Sequence, residues 1–599
     1  PDDPNGIAEF NLVTRYYYDA LDNRIQTTDP KGNKLYTDYD NANRKTKTYF
    51  ATDNAAKVVQ SQTEYYDNDQ VKRVTEFDRD GSTVLKDTEF SYDYRRRLQT
   101  VFQDIDGTET ARTDIYYNDL DPLEYLDPNN PIYYPVEFAD KCHFDIRIDD
   151  GEGKSTWRRF DHNKKLVEIL YPSGLHQRWG YYPDGKLKAK TVYDSSGNHQ
   201  CINYRRDGYG RVITKDYPDG NYVKYDYDYF DRMIYAGEYI TAPIQTDPNL
   251  PQEPDTLVSE YNYTYTPFNQ IETITDQDGF ISSYSYKSDG QVDNIHITGD
   301  PVNDPNGIYV ADYEYDRAGR LYIIMSGTAF EDFSMLANYD DNGNLSNMGY
   351  RNGGLFPFTE IDYTYNLDNQ LDSLSNAYFS LGNMVIDGKG RIKSAQSFRP
   401  NQAGVDEYYT YNRLGELTQA IVGSWAGNYG YNKDGNMNNR TENGVSEDFG
   451  YDFNNTGFDD TNMLTSVGSN DLVDWDKNGN LICDGISTFT YNFDNKIEAS
   501  ANIIDPDITT FMSYDSMSNR VMKTVTDETG AATTRKYILD YSGKLPKVLV
   551  ELEYDGEKWN PVAKNYHYGD RLFHSKHANV IGGFDSRYYI HDRNGSVRS

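Results

Sequence analysis

Cysteine is nearly absent from these 599 residues: Cys142, Cys201 and Cys483 are odd in number and far apart. That pattern has neither the paired spacing of a zinc site nor the density of a disulfide framework, so the three read as isolated packed thiols. No apolar run approaches the roughly 20 residues that span a bilayer. Continuous Val, Ile and Leu runs of the kind that build buried parallel strands are missing as well. Positive charge is scarce, with 59 Lys and Arg against 95 Asp and Glu and a net charge of -36. Such a chain repels phosphate backbones and anionic membrane surfaces, which argues against nucleic acid as a partner along its length. No segment keeps helical periodicity beyond two turns. HExxH, a nucleotide-binding glycine loop and a GxSxG elbow are all missing. The chain opens PDDPNGIAEF, without Met or a signal sequence, and stops at Ser599 inside a motif, so it reads as an excised segment.

What is plentiful is tyrosine: 57 residues, beside 25 Phe and 5 Trp. The mean hydropathy of -0.84 with high net charge fits disorder, but disordered chains are poor in aromatic residues. This palette is β-leaning and amphipathic, and it reads as folded. The length exceeds one ordinary core, so either several domains or a repeat array is expected.

The repeat is visible. YDRAGRL (Tyr315 to Leu321) returns as YDDNGNL from Tyr339, YKSDGQV from Tyr286 and YNRLGEL from Tyr411, and units continue from Tyr18 to Tyr514, most of them 20 to 29 residues apart. The fifth position holds Gly290, Gly319, Gly343, Gly415 or Gly435, or else Asn and Asp, the residues that tolerate the left-handed backbone of a tight turn. The seventh is aliphatic and starts the next strand. Between these phrases lies a second turn, such as Pro218-Asp219-Gly220, so each unit reads as a β-hairpin. Val223, Tyr225 and Tyr227 alternate with Tyr222, Lys224 and Asp226, the period of a sheet with unlike faces.

About 20 hairpins make roughly 40 antiparallel strands and a ribbon about 190 Å long along its hydrogen bonds. A twisted sheet that long must curl, split or close. The expectation is an all-β fold: a long curled ribbon, spiralling into a shell that is hollow or partly filled and wrapped about once or twice. Its repeat-turn residues are Tyr286, Gly290, Tyr315, Gly319, Tyr339, Gly343, Tyr411, Gly415, Tyr431 and Gly435. The tyrosines are expected to line the shell.

Tyr-Asp-x-x-Gly-Arg-Leu at this spacing resembles the YD repeats of the RHS family, found in bacterial Rhs and wall-associated proteins, the C components of insecticidal toxin complexes, and teneurins. The tail strengthens the likeness: YILDYSGKLPKVLVE from Tyr537, YHYGDRL from Tyr566 and YYIHDRNGSVRS from Tyr588 are similar to the start of the RHS-associated core. The resemblance implies residues 1–530 as a repeat array, with insertions near 119–157 and 242–257, and 531–599 as the truncated start of that core. In toxin members such a shell holds a C-terminal effector released by self-cleavage. No protease motif or effector occurs before Ser599.

Candidate chemistry is thin. Asp474 to Gly479 matches the first six positions of a calcium loop, with similar strings at Asp78, Asp104 and Asp276, yet Gly485 stands where the twelfth-position acid belongs. The same letters make tight turns. His567, His574 and His577 lie close together without a completing carboxylate spacing. No metal site, cofactor or catalytic residue is assigned. The expected function is a non-catalytic, secreted or surface shell that encloses its own C-terminal polypeptide or another cargo. The alternative is an adhesive scaffold that recognises a cell-surface receptor or glycan or associates with itself, with no membrane span in this segment.

Overall fold

The computed structural model describes residues 13–51, 56–107, 110–119, 144–150, 154–171, 175–193, 199–242, 254–299, 307–326, 333–351, 359–366, 369–451, 464–469, 473–476, 479–568, 571–578 and 584–589. These contain strands and turns and no helix. A 36-stranded sheet runs from Arg15 to Val467 and an 11-stranded sheet from Val473 to Tyr588. Strands pair antiparallel with the strands before and after them, as Leu321–Ser326 does with Tyr309–Tyr315 and Phe333–Tyr339. The molecule is thus one long meander, open and not closed into a barrel.

Of the two insertions, residues 120–143 and 243–253 lie outside the described residues. The strands flanking them pair directly, Tyr117 opposite Ile146 and Ala236 opposite Tyr261, so the ribbon passes each insertion without losing its order. The boundary expected near 530 falls inside the second sheet, where Thr526 pairs with Ala532. The break in the ladder comes earlier, between Val467 and Val473.

The described tyrosine turns share one backbone construction, most of them with an Asp or Asn at the second position. In the unit at Tyr315, Gly319 N–H donates to the Asp316 carbonyl at 2.9 Å and Asp316 N–H to the Arg320 carbonyl at 2.9 Å. The Asp316 carboxylate accepts from the backbone of Ala318 and Arg320, both at 2.9 Å. Tyr315 then pairs with Leu321 across a bulge. This geometry needs a left-handed fifth residue, and Gly319 has φ 75°. Gly290, Gly343, Gly415 and Gly435 have φ of 89°, 83°, 96° and 82°, while Asn269, Asn369, Asp69 and Asp231 occupy the same position at 66°, 57°, 70° and 63°.

Deep burial is local. Val223 is buried and its neighbour Lys224 exposed, but most strands before Ala236 and between Val405 and Thr526 are only half-buried on either face. The core gathers along one run, from Ala236 through Ile295, Tyr309, Tyr350 and Leu374 to Ala395. It is joined by Ile538, Val550, Leu552 and Tyr566 of the second sheet. Tyr566 stacks on Tyr309 at 5.2 Å and shares a 2.7 Å hydrogen bond with Ser326. The last strands therefore fill one part of the curl and leave the remainder a single sheet thick.

A Cβ at Gly319 would meet only Gln291 Nε2 at 3.6 Å, so a substitution there is limited by φ and not by space. We expect Gly319→Asn to be nearly neutral and Gly319→Val to cost more than about 1–2 kcal/mol. Amide hydrogen exchange across 315–326 measures both; equal protection in the two variants would contradict this account of the turn.

Candidate functional site

Two rows of side-chain bonds tie successive tyrosine turns together. The first-position hydroxyl donates back to the seventh-position carbonyl of the preceding unit: Tyr286 to Ile271 (2.7 Å), Tyr315 to Val292 (3.0 Å), Tyr411 to Ile392 (3.1 Å), Tyr431 to Leu417 (2.8 Å), and Tyr339 to Leu321. These hydroxyls are spent on stitching the wall, a role that the expectation of shell-lining tyrosines did not contain. Where Tyr is replaced, another donor can take over. Arg206 reaches the Leu187 carbonyl at 3.1 Å, and Trp475 Nε1 reaches that of Leu464 at 2.6 Å, bridging the break between the two sheets.

The sixth position reaches forward. Arg391 donates to the Asn412 carbonyl at 3.3 Å, Gln270 to that of Gly290 at 2.9 Å, Gln291 to that of Gly319 at 2.7 Å, and Lys186 to that of Gly210 at 3.1 Å. Arginines also lie over the next tyrosine, Arg320 over Tyr339 at 4.2 Å and Arg391 over Tyr411 at 4.8 Å. What these substitutions keep is a hydrogen-bond donor.

A second set of contacts joins residues about 240 to 310 apart and shows how the ribbon coils. Lys31 pairs with Asp340 at 2.6 Å across 309 positions, and Gly388 N–H donates to Asp78 at 2.9 Å across 310. Arg413 pairs with Asp104 across 309 and Lys215 with Asp494 at 2.5 Å across 279. Lys536 pairs with Asp276 at 2.6 Å, and Tyr309 donates to the Asn565 carbonyl at 3.1 Å across 256. In most of these pairs the earlier residue lies at or beside a second turn of the hairpin, and the later one in or beside a tyrosine turn. The ribbon therefore makes nearly two coils, stacked rim to rim along a seam. The strings at Asp78, Asp104 and Asp276 that resembled calcium loops are acidic residues of that seam.

Lys215, Tyr217 and Asp494 form its best-built contact. Asp494 accepts from Lys215 Nζ at 2.5 and 2.6 Å, from the Tyr217 hydroxyl at 2.8 Å and from Ser518 at 3.2 Å, while Phe493 stacks on Tyr217 at 6.0 Å. Burial pushes the Asp494 carboxyl up, but these bonds outweigh it and hold it below the usual carboxylate range.

Elsewhere the wall contains a buried charged row on neighbouring strands, Asp145, Arg159, Glu168 and Arg178 in register. Glu168 takes Arg178 at 2.6 Å and Arg159, and these contacts, with the His176 bond, overcome burial to lower its carboxyl. Asp145 is fully buried with no hydrogen bond to either oxygen among the described residues. Burial pushes it up to about 7 against the pull of Arg147.

Among the described residues no group of three or more His, Cys, Asp and Glu is placed to hold a metal. Asp476 spends its oxygens on Asn480, N–H and amide both at 2.8 Å. His567 Nε2 lies 3.0 Å from the Val548 carbonyl. His577 lies 2.7 Å from Ser575, which is fully buried, and burial takes His574 down to about 3. Cys201 and Cys483 are free and half-buried, and Cys142 lies outside the described residues. Among the described residues no helix is long and apolar enough to cross a membrane.

No family profile matches the chain. It is 24% identical over 259 residues to the tRNA nuclease WapA of Bacillus subtilis and to the tRNA3(Ser)-specific nuclease WapA of Bacillus spizizenii, matches covering 43% of this chain and 10% of each relative. The chain thus aligns with about a tenth of these curated relatives. Among solved structures, TcdB2-TccC3 without its hypervariable C-terminal region aligns with 98% of this chain and 30% of its own, at TM-score 0.60 and 13% identity. The Photorhabdus luminescens Tc holotoxin pore bearing TccC3-D651A aligns with 98% and 29%, at 0.57 and 13%. The all-β ribbon is thus similar in fold to about 30% of each of these chains.

Lys215→Met should leave Asp494 buried beside fewer donors, at a cost of about 3–5 kcal/mol, whereas Lys224→Met, from an exposed pair with Asp226, should cost under about 1 kcal/mol. Hydrogen exchange over 487–519 separates the two, and equal effects would remove the seam from the stability of the wall. Asp145 gives a pH signature of its own. Its folded-state value is raised, so the stability it confers is complete below the ordinary carboxylate range and is lost as pH rises to about 7. Asp145→Asn should abolish that slope and stabilise the chain at pH 8 by at most about 4 kcal/mol, less after screening. Thermal unfolding of both chains across this range is the measurement, and parallel curves would contradict the assignment.

Proposed function

We propose that this chain is a wall segment of an RHS/YD-repeat shell, non-catalytic within these residues, that encloses or scaffolds a polypeptide, the C-terminal effector of a secreted or surface toxin. The observation carrying the proposal is the seam. Ion pairs and backbone bonds join the coils at Lys31, Asp78, Asp104, Lys215 and Asp276, which turns a ribbon into a continuous wall. A free adhesive ribbon has no need of a sealed edge, while a container does.

Two further observations support it. Most of the wall is one sheet thick, with half-buried Tyr and Thr faces able to hold a loosely folded chain by many shallow contacts. The relatives are toxin-complex proteins and tRNA nucleases, one solved without a hypervariable C-terminal region, and this chain aligns with a minor share of each. The nuclease activity in the relatives' names is placed by this reading outside the wall. Residues from about 531, whose strands join the buried core, would begin the closing region.

A cryo-EM map of the full-length native protein tests the proposal. Polypeptide density inside the coils is the expected result. A solvent-filled lumen, with ordered contacts only on the outside, would overturn enclosure.

A further inference from the structure

Lys536 differs from the other cations of the seam. The side chains of Lys31 and Lys393 are 30% and 49% exposed, and the guanidinium of Arg413 does not give up its proton. Lys536 is buried, on the strand Ala532–Asp540 of the second sheet, with its Nζ 5.1 Å from the centre of the Phe280 ring and 5.9 Å from that of Trp559. It meets two carboxylates of one hairpin turn, Asp276-Gln277-Asp278-Gly279. Its Nζ lies 2.6 Å from Asp276 Oδ2 and also contacts Asp278 Oδ2. The Asp276 side chain is as buried as the lysine, whereas Asp278 is open to solvent on one side.

Asp276 is placed as the electrophile of such a pair. Its Oδ1 accepts from the backbone N–H groups of Asp278 and Phe280, both at 3.0 Å, the same two bonds that Asp316 takes in its own turn. At Asp316 the other oxygen is held by Arg320, four residues on, at 2.7 Å. Four residues after Asp276 stands Phe280, so Oδ2 turns to the lysine of the other coil. Two N–H donors on Oδ1 polarise the carboxyl carbon and are placed to hold negative charge on that oxygen when the carbon becomes tetrahedral. Burial raises the Asp276 carboxyl above its ordinary value against the pull of Lys536, which favours the acid form that an amine attacks. Lys215 and Asp494 lack this arrangement: Tyr217 and Ser518 add donors to Asp494, and its carboxyl is held in the unreactive ionised form.

We propose that Lys536 and Asp276 condense into an intramolecular isopeptide bond, with Asp278 carrying the proton, so that the second sheet is joined covalently to the first coil. A proton passes from the Lys536 ammonium to Asp276 Oδ2. The freed lone pair of Nζ attacks Cγ, while the charge on Oδ1 rests on the Asp278 and Phe280 N–H groups. The Asp278 carboxylate takes a second proton from Nζ and returns it to Oδ2. The Cγ–Oδ2 bond breaks, one water leaves past the exposed side of Asp278, and the Cγ–Nζ amide remains. An ammonium and a carboxylate thus become an amide and a water, with no oxidant, reductant or cofactor. The bond fixes the second sheet to the wall whether or not the coils enclose a cargo.

Tryptic digestion of the native full-length protein, followed by tandem mass spectrometry, tests this. The peptides bearing Asp276 and Lys536 should be recovered joined, at their summed mass less one water, with no cleavage after Lys536. Lys536→Arg and Asp276→Ala should each leave them separate. Asp278→Asn, at a position partly open to solvent, should also leave them separate, with circular dichroism unchanged. Separate peptides in the parent overturn the proposal whatever the variants do. That holds also where the Asp276 peptide alone has lost a water, which assigns the loss to a succinimide at Asp278-Gly279. A joined peptide at parental yield in Asp278→Asn overturns the proton transfer.

Discussion

A ribbon one sheet thick has no second layer to hold its curvature, so its shape rests on the bonds that tie each tyrosine turn to its neighbours. The hydroxyl of Tyr315 reaches back to Val292, and Gln291 reaches forward to Gly319, so the two turns are bound in both directions. Each bond is worth only about 1 kcal/mol net. Their weight comes from repetition along a rim where backbone pairing has already ended. This explains why Arg206 and Trp475 are tolerated where Tyr is the rule: the position demands a donor that can span the gap, and the ring is one means of supplying it.

Much of this was legible because it is local. The left-handed fifth residue, the hairpin and the all-β ribbon follow from constraints inside about 20 residues, which one sequence repeats often enough to expose. The third and fourth turn positions were illegible for the opposite reason. In the second coil several of them answer to the coil they touch, about 300 residues away: Asn342 to Asp29, Gly388 to Asp78, Asp494 to Lys215. Asp78, Asp104 and Asp276 were visible as acidic turn residues, but only the coiled structure shows cations set against them. The donor row could have been found by asking what Arg206 and Trp475 share with tyrosine. Nothing in the local sequence marks Asp145 as buried.

A net charge of -36 makes the seam an electrostatic problem. Two acidic coils brought rim to rim repel unless the contact is neutralised, and cations are set against the acids there. Lys393, Arg413 and Lys536 of the second coil face Asp78, Asp104 and Asp276 of the first, with Lys31 and Lys215 reversing the polarity. These pairs are partly buried, so they are screened by salt less than surface pairs are. The polarity reversals also help to fix register, since a shifted coil would set like charges against each other.

Two of the perturbed carboxylates respond to pH in opposite directions. Asp494, held below the usual range, supports the seam at neutral pH and ceases to do so as pH falls through its folded-state value. Asp145, raised to about 7 in the first coil, works in the other direction and strains its strand as pH climbs past neutrality. Through these two groups, acid weakens the Lys215–Asp494 contact between coils and alkali the Asp145 strand within one coil. The bonds that tie one turn to the next, Tyr315 hydroxyl to the Val292 carbonyl and Gln291 amide to the Gly319 carbonyl, involve no group that titrates in acid, so they outlast the Asp494 contact as pH falls.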